Sequence, residues 1–287
     1  MNKKTLFIIS IIFILLTYFQ ILGFKRNIME ISSLKLETES GKYLSYKYIK
    51  SNSSKNYLIL YIHGYSDNMK ESKSMKMEQI AKNNNIDLVK FDLYGHGESS
   101  GELNYSTMDD WYNSCKIIIE KIINPTNKKI ILIGSSLGGW LSYILAEELK
   151  DKIIAIVSVA GAIDFFTETI EPLIKKEGKD KEFVYEMVYD SGKPSGDLIS
   201  RKLIESSRKY NLLNKDKINI KCIIRIIHGL KDQVVPYQSS IKFANKVESQ
   251  DVKLFLEKNM NHDLTLNNNL DTLDKIVSDL IKDLEYI

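Results

Sequence analysis

Hydrophobic positions change their spacing along this chain, and the change separates two kinds of predicted strand. Residues 34–38 and 43–48 alternate apolar and polar side chains on either side of Ser40 and Gly41. This pattern predicts an antiparallel hairpin with one face in solvent. From Tyr57 onward the apolar residues come in continuous runs, which predict strands buried on both faces. The runs cover residues 57–62, 86–91, 130–133, 153–159, 222–227 and 252–256.

Segments with helical character separate these runs, and Asn124-Pro125 stops one of them. Strands that alternate with helices predict an α/β fold, in which helices cover both faces of a mostly parallel sheet. The predicted helices cover residues 72–83, 109–123, 140–150, 238–247 and 270–284.

Residues 162–216 interrupt this rhythm. The segment mixes aromatic residues with Lys and Glu and contains no long apolar strand. We interpret it as a helical lid insertion over the strand ends, with an apolar inner face. The alternative is a surface excursion with no role in binding. The predicted core therefore has two parts, residues 27–161 and 217–287.

The amino terminus carries an apolar segment of its own. After a short basic start, residues 5–24 contain no charged side chain, and about 20 such residues can span a bilayer as a helix. We expect residues 1–26 to form a single membrane anchor, so that the membrane is a partner through residues 5–24. The alternative is a cleaved signal segment and a secreted or periplasmic protein, although no small-x-small cleavage site follows the run.

Composition narrows the possible partners. Lys and Arg total 40 and Asp and Glu total 37, which gives a net charge of +3. Because the charges nearly balance, there is no reason to expect a nucleic-acid partner. The two cysteines cannot form a four-ligand metal site, and the four histidines have no metal-ligand spacing. We therefore expect neither a metal nor a cofactor.

Residues 134–138, Gly-Ser-Ser-Leu-Gly, carry the strongest chemical signal. They lie between the apolar run 130–133 and the predicted helix 140–150, which is the context of a nucleophile elbow. Ser136 would occupy the apex as a nucleophile, and the N–H of Leu137 would face developing negative charge. The alternative is an ordinary Gly-rich turn.

A serine nucleophile needs a base, and that base needs an orienting carboxylate. Asp232 lies in a Gly-containing turn directly after the run 222–227, and His262 lies in a polar loop after the run 252–256. Their order along the chain after Ser136 is the order that this motif requires. The alternatives are a turn or capping role for Asp232 and an exposed loop position for His262.

The turn after residues 57–62 offers a second oxyanion donor, the backbone N–H of Tyr65. We expect the neighbouring His63 to be structural and residues 92–99 to form a tight Gly-rich loop, with His96 only a minor candidate for the base. His228 is expected to pack near the acid turn without taking part in chemistry.

These pieces together resemble the α/β-hydrolase superfamily over residues 43–287. A closer resemblance is to the branch that contains mitochondrial palmitoyl-protein thioesterase, also described as an acyl-glucuronide esterase, and its bacterial relatives. The resemblance implies an α/β-hydrolase fold, a triad of Ser136, Asp232 and His262, and hydrolysis of a thioester or carboxylic ester. The matching pieces are residues 63–65, 92–99, 134–141 and 224–236, and His262.

We therefore expect a serine hydrolase that acts on a small-molecule or lipid-like acyl substrate, or on an acylated protein. Lysophospholipase, monoacylglycerol lipase and serine peptidase are the alternative activities. The alternative without catalysis is a tethered binding module that kept the fold.

Overall fold

The structure, a computed structural model, describes residues 29–38, 41–177, 181–189, 192–264 and 269–285. The strands in these ranges are β1 Met29–Glu37, β2 Tyr43–Lys50, β3 Tyr57–Ile62, β4 Asp87–Phe91, β5 Lys129–Ser135, β6 Ile153–Val159, β7 Phe183–Val188, β8 Pro194–Ser200, β9 Ile223–Gly229 and β10 Val252–Glu257. The helices are α1 Ser72–Asn83, α2 Met108–Ile118, α3 Leu137–Glu148, α4 Glu171–Glu177, α5 Arg201–Ser207, α6 Gln238–Lys246 and α7 Asn269–Leu284.

Eight of the described strands form one sheet, in the order β1-β2-β4-β3-β5-β6-β9-β10. The pairs β1–β2 and β2–β4 are antiparallel, and all later pairs across the sheet are parallel. The predicted mostly parallel sheet is thus confirmed. From β3 the chain adds β4 on one side and β5 on the other, and such a switch point leaves a crevice at the carboxyl ends of the two central strands.

The central strand β3 is buried along its whole length, because its side chains enter a hydrophobic core on each face of the sheet. Leu58 and Leu60 belong to the core beneath α2, α3 and α6. Ile59 and Tyr61 belong to the opposite core, beneath α1 and α7. The buried apolar residues of α7 follow the helical repeat that places one stripe on the sheet, and they are Leu273, Ile276, Val277, Leu280 and Ile281.

The insertion, residues 162–216, contains short helices and also a two-stranded antiparallel sheet formed by β7 and β8. The sequence pattern predicted only its helices, because β8 begins with Pro-Ser-Gly-Asp and has no apolar run. Both ends of the insertion are fastened together by the buried Asp164. Its carboxylate accepts hydrogen bonds from the N–H of Leu212 at 2.9 Å and of Leu213 at 2.7 Å.

The predicted membrane anchor is wrong. Residues 5–24, on which it was based, lie outside the described residues, and no helix within the described ranges is long and apolar enough to cross a membrane. The longest of them, α7, has 16 residues, about 24 Å at ~1.5 Å per residue, and one of its faces is polar. An uncharged run of the right length shows only that a segment could span a bilayer, and a hydropathy pattern alone could not show more.

Candidate active site

Ser136 lies at the sharp turn between β5 and α3. Its backbone has φ of 52° and ψ of −116°, a left-handed value of φ that is uncommon for a residue with a side chain. Backbone hydrogen bonds to the next strand and to the chain beyond it hold it there: its N–H donates to the carbonyl oxygen of Val159 at 2.8 Å, and its carbonyl oxygen accepts from the N–H of Ala162 at 3.0 Å. The turn therefore holds the serine in a strained conformation, a feature that clusters at functional sites.

The two glycines of the motif make this turn possible. A β-carbon on Gly138 would lie 2.1 Å from the carbonyl oxygen of Ile62, and one on Gly134 would lie 2.1 Å from the carbonyl oxygen of Gly138. Because neither contact can be relieved without moving the backbone, only glycine lets α3 pass so close to β3 and β5.

The structure brings the three residues predicted as a triad together. Nε2 of His262 lies 3.1 Å from Oγ of Ser136, and Nδ1 of His262 lies 2.8 Å from Oδ2 of Asp232. The Asp232 side chain is fully buried, and that of His262 is 6 % exposed. This is the geometry of a hydroxyl, a base and an orienting carboxylate in series.

Asp232 is held by more than His262. Its Oδ1 accepts the N–H groups of Val234 at 2.9 Å and Val235 at 2.8 Å, and Nε2 of His228 lies 3.1 Å from Oδ2. Burial alone would raise the pKa of this carboxyl group, but the hydrogen bonds from His228 and His262 outweigh it and lower the pKa well below its usual value. The acid is thus kept ionised.

His228 was expected to pack near the acid turn, yet it also contacts the acid directly. Its other ring nitrogen, Nδ1, lies 2.8 Å from Oγ of Ser240 on α6. The position of His228 four residues before Asp232 could have suggested this contact only if the turn geometry had been known.

The two predicted oxyanion donors lie on either side of Ser136. Leu137 is the first residue of α3, where N–H groups have no partner within the helix. Tyr65 follows Gly64, at which an added β-carbon would lie 3.2 Å from Cβ of Ser136, so this backbone runs beside the nucleophile. Among the described residues, neither N–H donates to a backbone carbonyl.

Two buried histidines fix the loop that carries Tyr65. Nε2 of His63 accepts the N–H of Leu93 at 3.0 Å, and Nε2 of His96 accepts the N–H of Ser66 at 3.3 Å. Their ring centroids lie 5.0 Å apart. Burial lowers the pKa of His63 to about 4 and that of His96 to about 3, so both rings are neutral. The hydrogen bonds of His96 go to loop backbone, to Ser66 and Tyr94, and not to Ser136.

Two spaces of opposite character meet at Ser136. The first, which we call the polar cavity, has a volume of about 420 Å³. The second, which we call the apolar slot, has a volume of about 20 Å³. Both are bordered by Tyr65, Ser136, Tyr189 and His262. The remaining residues of the polar cavity are Gly64, Ser66, Asp67, Glu71, Ser72, Lys73, Ser135 and Asp263. Those of the apolar slot are Leu137, Trp140, Ala162, Phe165, Phe166, Met187, Val234 and Val235.

The fold and the family comparisons define the chain as an α/β hydrolase of the serine-hydrolase type. The chain belongs to the family described as "Serine aminopeptidase, S33", which matches residues 53–202. It is also 31% identical over 246 residues to the Bos taurus protein named "Palmitoyl-protein thioesterase ABHD10, mitochondrial", a match that covers 85% of this chain and 78% of the relative. The Homo sapiens protein of the same name is 31% identical over 247 residues, with the same coverage.

Solved structures agree with these sequence matches. The structure titled "Alpha/beta hydrolase domain-containing protein 10 from mouse" superposes with a TM-score of 0.77 and 28% identity, covering 88% of this chain and 100% of that one. The expected α/β-hydrolase fold and hydrolase class are thus confirmed. The names of the curated relatives place them in mitochondria, which is a further reason to discard the predicted membrane-anchored, secreted or periplasmic location.

Proposed function

We propose that this protein hydrolyses acyl thioesters or carboxylic esters through a covalent acyl-enzyme. One observation carries the proposal: Ser136, His262 and Asp232 form a continuous hydrogen-bonded series, with distances of 3.1 Å and 2.8 Å, at the carboxyl ends of the sheet strands. The thioesterase names of the curated relatives support the thioester as the scissile group.

In the proposed reaction His262 takes the hydroxyl proton of Ser136 as the oxygen attacks the acyl carbonyl. The N–H groups of Tyr65 and Leu137 hold the resulting oxyanion, and His262 then protonates the departing thiol or alcohol. Water, activated by the same imidazole, releases the acid in a second addition and collapse. Asp232 fixes the imidazole tautomer and stabilises its positive charge in both steps.

The lining of the apolar slot favours a fatty acyl group, since the carboxylates near Ser136 border the polar cavity instead. Among the described residues that border the apolar slot there is no carboxylate, whereas an aminopeptidase must bind a free ammonium group beside the bond it cleaves. Aromatic and aliphatic side chains such as Trp140, Phe166 and Met187 instead suit a hydrocarbon chain. We therefore place the acyl chain in the apolar slot and the leaving group in the polar cavity.

The test uses the full chain and its Ser136→Ala variant, with acyl thioesters and p-nitrophenyl esters of graded chain length. We expect the wild type to turn over and the variant to lose about 10⁶-fold in kcat, as when a serine nucleophile is removed elsewhere. A fluorophosphonate probe should label the wild type at Ser136 only.

The matched control is Ser54→Ala, an exposed serine in the loop between β2 and β3. It should keep both turnover and labelling. If Ser136→Ala hydrolysed the substrates as fast as the wild type, the assignment of the nucleophile would be wrong. Labelling of Ser136 without turnover of any ester would support the nucleophile and reject the substrate class.

A further inference from the structure

The polar cavity contains one side chain whose position the hydrolytic steps do not explain. Lys73 lies in the first turn of α1 and borders the cavity, yet its side chain is only 10% exposed. A lysine is rarely buried to this extent unless its ammonium group is paired and hydrogen-bonded.

The ammonium group of Lys73 is paired only loosely. Its Nζ lies 3.9 Å from Oδ2 of Asp67 and 3.9 Å from Oδ1 of Asp263, and both distances are too long for hydrogen bonds. Within the described residues the ammonium group makes no hydrogen bond and no closer ion pair. The group therefore keeps its N–H donors for an acceptor that enters the cavity.

The place of Lys73 in α1 points the same way. A positive charge in the first turn of a helix opposes the helix dipole, and this turn has no acidic residue and no side-chain cap from Glu71. Lys73 thus contributes little to the stability of α1. Its burial beside the nucleophile calls for another reason, and a ligand provides one.

We propose that Lys73 donates a hydrogen bond to an amide carbonyl of the leaving group, so that the site selects neutral, amide-bearing thiols such as a cysteine within a peptide. Asp67 and Asp263 already balance the charge of the ammonium group, so a neutral acceptor fits better than an anion. A multiply anionic leaving group would also meet Glu71 at the rim. This inference rests on the proposed function, because it assigns the leaving-group side of the same reaction.

The test compares S-octanoyl thioesters of three thiols: N-acetylcysteine methylamide, propanethiol and coenzyme A. The wild type should show a lower KM for the first than for the second, and the anionic coenzyme A thioester should have a lower kcat/KM than the first. In Lys73→Met the ratio of kcat/KM between the amide thioester and the propanethiol thioester should fall by about 10-fold or more, mainly through KM, since a hydrogen bond to a charged group is lost.

Two further variants separate recognition from folding. Lys73→Arg keeps cationic donors on a long stem and should recover most of the ratio. Lys82→Met removes an exposed lysine from the last turn of the same helix and should leave the ratio unchanged. If Lys73→Met does not fold, the substrate preference of the wild type still decides the question.

Equal KM values of the wild type for the amide and propanethiol thioesters would overturn the inference and leave the proposed function intact. A preserved ratio in folded Lys73→Met would do the same, as would a coenzyme A thioester hydrolysed as well as the amide thioester. If the wild type hydrolysed none of the three, the proposed function would fail first, and the inference with it.

Discussion

The apolar slot and the polar cavity meet at Ser136, but they are built from different parts of the chain. Much of the slot comes from the insertion, which supplies Phe165, Phe166 and Met187. Most of the cavity comes from the loop after β3 and the start of α1, residues 64–73. The insertion lies outside the main sheet and its covering helices, whereas the loop after β3 and helix α1 belong to that core. Acyl-chain and leaving-group preferences can therefore vary separately around one nucleophile.

The two spaces also differ in size. A slot of about 20 Å³ has room for one or two water molecules, whereas the polar cavity holds about 420 Å³. A polar leaving group fits the structure as it stands. A long acyl chain is larger than the slot, so the prediction that the insertion is a lid requires the insertion to move when such a chain binds.

A change in the hydrogen-bonded series at Ser136, where the two spaces meet, should affect both spaces alike, and after loss of the nucleophile itself it should produce the largest effect. Asp232→Asn keeps the size of the side chain but removes the acceptor that fixes the tautomer of His262. We expect kcat to fall by about 10⁴-fold, as when the acid of such a triad is replaced by an amide. Steady-state kinetics on short and long acyl thioesters would measure it.

The loss in Asp232→Asn should be the same factor for every substrate. If the loss in kcat depended on acyl chain length, Asp232 would shape the apolar slot rather than orient the imidazole of His262. Since the pKa of Asp232 is lowered in the fold, its ionised form also contributes stability that is lost as the pH falls through that pKa. The variant should therefore be compared at neutral pH, after its thermal transition has been recorded.

Much of the sheet and the candidate site could be predicted from sequence because both depend on local patterns. Continuous apolar runs predicted the central strands, since a strand buried on both faces admits few polar residues. The motif at residues 134–138 is equally local, because five consecutive residues define it, although the 2.1 Å contact that requires Gly138 is with Ile62 on β3. The order of Asp232 and His262 after it then placed three strand-end side chains at one edge.

The remaining features depend on contacts between distant segments, which no local pattern records. Lys73 follows Ser72 in an ordinary helix start, and only the fold buries it between Asp67 and Asp263. The β7–β8 sheet was missed because register shifts interrupt its pairing and β8 begins with Pro-Ser-Gly-Asp, so that it lacks an apolar run. The membrane prediction failed for the opposite reason, because a local pattern was taken as sufficient.

The proposed position of the acyl chain in the apolar slot can be tested separately from the leaving group by a substitution that enlarges the slot. Met187, on β7, is 4% exposed and borders it. Met187→Ala should raise the kcat/KM for palmitoyl relative to octanoyl thioesters by about 10-fold, because several buried heavy atoms are removed from the path of the chain. Competition between the two substrates in one assay would measure the ratio directly.

Val188→Ala is the matched control for Met187→Ala. This neighbouring residue of β7 is 38% exposed, lies outside the slot and should leave the chain-length ratio unaltered. An unchanged ratio in Met187→Ala, with the protein folded, would show that the acyl chain lies elsewhere. The preference among leaving groups should stay constant in both variants.

Tyr65 borders both spaces, and two buried neutral histidines, His63 and His96, hold the loop that carries it. The stability of this loop should therefore depend on pH. Because burial lowers the pKa of His96 to about 3, the unfolded chain binds a proton below about pH 6.5 that the folded chain does not. Stability linked to His96 therefore falls as the pH decreases from about 6.5 toward 3. His96→Asn should reduce the pH slope of the unfolding free energy there by up to about 1.4 kcal/mol per pH unit. Urea titrations between pH 4 and 7, about the range of these pKa values, would measure the slopes, and equal slopes would contradict the assignment.

The smallest expected effect concerns the hydrogen bond between Tyr65, which borders both spaces, and the insertion. The hydroxyl of Tyr65 donates to the carbonyl oxygen of Leu198 on β8 at 3.1 Å, while the proposed oxyanion donor of Tyr65 is its backbone N–H. Tyr65→Phe should therefore keep the oxyanion site and weaken the closed position of the insertion by about 1 kcal/mol. We expect kcat/KM to rise about 5-fold for palmitoyl thioesters and to stay nearly unchanged for acetyl thioesters.

Tyr105→Phe is the control, since the exposed ring of Tyr105 contacts Phe183 on β7 through a ring face and edge that phenylalanine retains. If kcat/KM rose equally for palmitoyl and acetyl thioesters, Tyr65 would act at the nucleophile. The slot would then admit long acyl chains without any movement of the insertion.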